Sequence, residues 1–98
     1  MKIYLVIQES NVDGEILINV TPCSTIDKAR EEMKKEIDTL ITESKPYKGI
    51  NLEEIALAQD NDNNDCGFTF EQTNDSFYLS CDYDDYYEHL TITEKEIV

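Results

Sequence analysis

The chain has no tryptophan, three glycines, two prolines, one histidine and only eight lysines and arginines in 98 residues. Each shortage removes a class of function. Three scattered glycines build no Gly-rich phosphate cradle, and neither GxSxG nor HExxH occurs. The basic residues Lys28, Arg30, Lys34 and Lys35 alternate with Glu31, Glu32 and Glu36, so no basic patch is available to grip nucleic acid directly. Near the N-terminus only Ile3 to Ile7 are consecutively apolar. Five residues are too few for the apolar core of a signal peptide and far too few to span a bilayer, which points to a cytoplasmic protein. Cys23, Cys66 and Cys81 are odd in number and lack CxxC spacing. They read as reduced, partly buried thiols and not as a disulfide framework.

What the chain has in excess is acid. Twenty-two Asp and Glu against eight Lys and Arg give a net charge of −14. The imbalance is uneven: Gly49 to Val98 holds thirteen acidic residues against Lys95 alone, whereas Lys28 to Lys48 is nearly balanced. Such a field repels nucleic acid and anionic membranes and attracts basic protein surfaces or cations. Alternating apolar segments and nine Tyr and Phe argue against a disordered chain. The length suits a single domain over residues 1–98.

Ser24 to Ser44 carries the clearest pattern. Ile26, Ala29, Met33, Ile37, Leu40 and Ile41 recur at three- and four-residue steps and line one stripe of a helix. Ser24 is placed to cap it, with Asp27 three residues on. On either side the period changes to two. Ile3, Leu5 and Ile7 form one strand; Asn11 to Gly14 then supply a turn in which Asp-Gly tolerates positive φ; Ile16, Ile18 and Val20 form a second strand that Pro22 is expected to end. Phe68/Phe70, Phe77/Leu79/Cys81 and Leu90/Ile92 mark three more strands, with turns at Thr73–Asp75 and Asp82–Asp85. Leu52 to Leu57 fits a short helix or an extended piece equally well. The expected class is therefore α+β in the order ββαβββ. One mostly antiparallel sheet, an N-terminal hairpin plus a C-terminal meander, packs on one long amphipathic helix.

Two stretches suggest chemistry. Against the calcium-loop pattern, Asp60, Asp62 and Asn64 fall at positions one, three and five and Glu71 at twelve, a spacing that curls oxygens around a hard cation. Calcium is thus the one cofactor suggested. The match is partial, because Asp65 stands where the loop takes Gly and the residues after Glu71 read as strand. A solvated Asn/Asp-rich loop explains the same letters. The second stretch is Asp82, Tyr83, Asp84, Asp85, Tyr86, Tyr87 and Glu88. Carboxylates on a sheet can imitate the spacing of phosphates, and tyrosines among them supply flat contact area at low entropy cost. A merely solubilising acidic surface is the competing explanation.

Catalysis has little support, since His89 stands alone and Cys81 near it in sequence defines no geometry. In composition and layout only, the chain is similar to small bacterial and phage-encoded proteins, including inhibitors that imitate nucleic acid. No functional residue carries over from that likeness. The sequence thus favours a non-enzymatic module that binds a basic protein surface, extending to a nucleic-acid mimic, with no direct contact to nucleic acid or membrane. A calcium-binding module is the alternative.

Overall fold

The computed structural model describes residues 1–43, 47–60, 67–81 and 86–97. Two strands, β1 (Lys2–Val12) and β2 (Glu15–Cys23), lead into α1 (Ile26–Glu43) and then α2 (Leu52–Asp60). Three strands follow, β3 (Phe68–Gln72), β4 (Ser76–Cys81) and β5 (Tyr86–Glu96). All pairings are antiparallel, in the order β2-β1-β5-β4-β3. The expected α+β architecture holds, with one helix more than the sequence pattern resolved.

That second helix has a local cause. Asn51 Oδ1 accepts from the backbone N–H groups of Glu53 and Glu54 at 3.0 and 3.2 Å, which satisfies two of the donors a helix start leaves open. The two glutamates also favour the positive end of the helix dipole. In α1 the cap is Thr25 and not Ser24. Thr25 Oγ1 accepts from Lys28 N at 3.1 Å, while Ser24 Oγ accepts from the Lys28 ammonium at 3.4 Å.

The N-terminal hairpin is longer than its alternation implied. Asn11 and Val12 belong to β1, and only Asp13 and Gly14 turn, with φ of 55° and 88°, the paired positive values of a type I′ turn. Asn11 Oδ1 steadies it by accepting from Gly14 N at 2.9 Å. Nor does Pro22 end β2, which runs on to Cys23. Val12 and Glu15 close the two-residue turn as a hydrogen-bonded pair, so Ile16, Ile18, Val20 and Pro22 turn their main-chain groups away from β1. The donor that proline lacks would have pointed off the sheet, and the ladder loses nothing.

Register sorts the side chains into two faces, because residues directly opposite one another in antiparallel strands share a face. Val6, Phe77, Leu79 and Leu90 lie on the face that both helices cover. There they meet Ala29, Met33, Ile37 and Leu40 of α1 and Ile55 of α2. Tyr47, from the connection between the helices, is buried in the same cluster against Phe68, with ring centroids 6.4 Å apart. No helix among the described residues covers the opposite face, which holds Ile3, Leu5, Ile7, Ile16, Ile18, Val20, Tyr78, Tyr87 and His89. Among the described residues, no helix is long and apolar enough to cross a membrane.

Candidate protein-binding surface

Of the acidic and aromatic stretch, Asp82, Tyr83, Asp84 and Asp85 lie outside the described residues; Tyr86, Tyr87 and Glu88 are in β5. Alternation sends them to different faces. Tyr86 turns to the helix-covered side and packs on the core. Tyr87 is on the open face, half-buried, and its hydroxyl donates to Glu9 Oε2 at 2.6 Å. That bond raises the Tyr87 phenol above the usual tyrosine value, with burial and the Glu9 charge adding to it. Glu88 is only 5% exposed, beneath the helices, where it accepts from Ser10 Oγ and from Gln8 Nε2. Its carboxylate serves the interior and is not presented to a partner.

Other acids of this half are also engaged. Asp75 accepts from Arg30 Nε at 3.0 Å and ties the β3–β4 turn to α1. Glu94 pairs with Lys2 at 3.1 Å across β5 and β1, which raises the lysine pKa.

Around Tyr87 the open face gathers residues that the sequence pattern did not single out as a group. Tyr78 stacks on Tyr87 with centroids 6.2 Å apart, and His89, directly opposite Tyr78, meets it edge-on at 5.9 Å. The resulting patch presents two phenols, an exposed imidazole and the Glu9 carboxylate on rigid central strands. The signal for it lay in the alternation of β4 and β5, but seeing it needed their relative register. Such rings offer large contact area with few rotors to freeze.

The catalytic alternative meets an obstacle in the same register. Cys81 pairs with Tyr86 and turns toward the helices, whereas His89 turns to the open face, so the sheet itself separates thiol from imidazole. For the calcium loop, Asp62 and Asn64 lie outside the described residues. Asp60 closes α2 in the helical layer, and Glu71 is an exposed residue of β3 opposite Tyr78, on the open face. No family model, no curated protein and no solved structure matches the chain.

Proposed function

We propose that the chain is a non-enzymatic binding module of the cytoplasm that engages a basic protein surface, in the manner of a nucleic-acid mimic. The observation that carries this reading is the Tyr78–Tyr87–His89 cluster on the helix-free face, at the strands whose connection holds Asp82, Asp84 and Asp85 in sequence. A net charge of −14 supplies long-range attraction for a cationic partner, and the rings supply a dry anchor for the contact. A partner that grips DNA or RNA through Lys and Arg would present the matching charge.

The test is affinity capture from host lysate at low salt, elution with a salt gradient, and competition with DNA or RNA. The expected result is a partner that releases as salt rises and that nucleic acid displaces. Partners insensitive to both salt and nucleic acid would overturn the proposal.

A further inference from the structure

The outer edge of the N-terminal hairpin has a construction that the binding surface does not use. β2 lies at the end of the sheet, and among the described strands it pairs with β1 alone. Its side chains are open to solvent on both faces: Ile16, Ile18 and Val20 are 57%, 62% and 53% exposed on one, and Leu17 is also exposed on the other. The same Ile16, Ile18 and Val20 direct their N–H and C=O groups off the sheet, since Glu15, Leu17, Asn19 and Thr21 hold the bonds to β1. Edge strands are usually blunted by charges, bulges or short length. β2 has nine residues with one charge, Glu15, in a chain that carries twenty-two acids.

We propose that the β2 edge is a homodimer interface, at which a second copy pairs antiparallel about a two-fold axis at Ile18 to make one continuous ten-stranded sheet. The strand is self-complementary in that register. Ile18 faces Ile18 of the partner copy, and Ile16 faces Val20 in both directions, so every outward donor and acceptor from Ile16 to Val20 is paired. Leu17 then stands opposite Asn19, and Glu15 opposite Thr21. No acid faces an acid, and Pro22 falls outside the paired run. The six side chains of Ile16, Ile18 and Val20 come to one face of the joined sheet, the geometry that favours cross-strand packing. An isologous contact of this kind closes on itself and leaves no further β2 edge for a third copy. One register pairs the strand with itself along its whole outward edge and opposes no like charges, which a foreign strand would have to match by its own sequence, so the occupant is a second copy of this chain.

Two −14 chains repel at long range, so the dimer tightens as salt rises. That sign is opposite to the salt response of a complex with a basic partner, and the inference does not rest on that reading. An edge pairing is small by the standards of stable interfaces, so the association is reversible and depends on concentration.

The experiment is sedimentation equilibrium of the full chain from low micromolar to millimolar concentration, at low and high salt. The expected mass rises from the monomer's 11.3 kDa to twice that value, at lower concentration in high salt. Ile18→Lys, at an exposed site, puts two ammonium groups across the axis and holds the mass at 11.3 kDa. Thr91→Lys, in the middle of the open face, leaves the dimer intact. On the native chain, the Ile16, Ile18 and Val20 amides exchange with solvent more slowly as the dimer forms, a readout independent of whether the variant folds. A monomer under all conditions overturns the proposal. So does a dimer broken by Thr91→Lys and not by Ile18→Lys, which would pack face to face, or one that leaves those three amides unprotected.

Discussion

Ser10 and Glu88 stand directly opposite each other on β1 and β5, and the serine hydroxyl donates to the carboxylate inside the helix-covered layer. Burial raises the Glu88 pKa above its ordinary 4.5; the bonds from Ser10 and Gln8 pull it back, and the nearby Glu36 charge pushes it up further. The folded chain therefore keeps this proton to higher pH than the unfolded chain does. The stability associated with it is complete below the ordinary glutamate value and is lost as pH rises through the raised one. Glu88→Gln should raise Tm near neutral pH, with the gain shrinking toward zero in acid. Thermal melts of both proteins across that range check the sign, and a gain that grows in acid would contradict it.

Met33 sits at the centre of the α1 stripe and is buried, while its neighbour Lys34 is exposed. Met33→Ala should cost about 2–5 kcal/mol as a truncation in a packed core. Lys34→Ala should stay within about 0.5 kcal/mol. Urea titrations of the two variants decide, and equal small effects would mean that α1 is not docked through this stripe.

Tyr47 is 1% exposed, and its hydroxyl has no hydrogen-bond partner among the described residues. Burial also drives its pKa up, with the Glu88 charge as a second cause. A buried hydroxyl without a partner costs about 1–3 kcal/mol, so Tyr47→Phe should stabilise the fold by up to that amount. Denaturant midpoints measure the change. Destabilisation would reveal a bond to that oxygen.

Gly14 holds a φ of 88° in the hairpin turn, and nothing lies within 4 Å of where a Cβ would be. The cost of Gly14→Ala is then backbone strain alone, about 1–2 kcal/mol. Asp13, at φ 55°, already tolerates the left-handed region, and Asp13→Asn should be near neutral. Chemical denaturation of the two variants separates strain from crowding.

For the proposed complex with a basic protein, charge and packing should divide between the two rate constants. Reversing Asp82, Asp84 and Asp85 to Lys should slow association and flatten its salt dependence. Tyr87→Ala should mainly speed dissociation if the ring is a packed anchor. Surface plasmon resonance at two salt concentrations reads both, and equal effects of the two changes on association would argue against this division.

Much of the local structure was legible in the letters. The stripe Ala29, Met33, Ile37 and Leu40 is buried as its spacing implied, and Asp13-Gly14 makes the turn its chemistry favours. These features depend on residues within one or two turns of each other, so a short window contains their cause. The Asn51-Leu52-Glu53-Glu54 cap was equally local, although the apolar period beside it is too short to separate helix from strand.

An acidic α+β chain can be read from the letters alone: helical and alternating periods, a tight Asp-Gly turn and a −14 charge all follow from nearby residues or from composition. Which side of β1 is covered depends on the packed fold, because Tyr4 and Val6 compete with Ile3, Leu5 and Ile7 on nearly equal apolar terms. Strand order alone left β2 at an edge, and partner strands alone sent Glu88 inward beside Ser10 while Tyr87 joined Tyr78 and His89 outside. A period of two says that neighbours diverge; which of them faces the core is settled by what packs against the sheet.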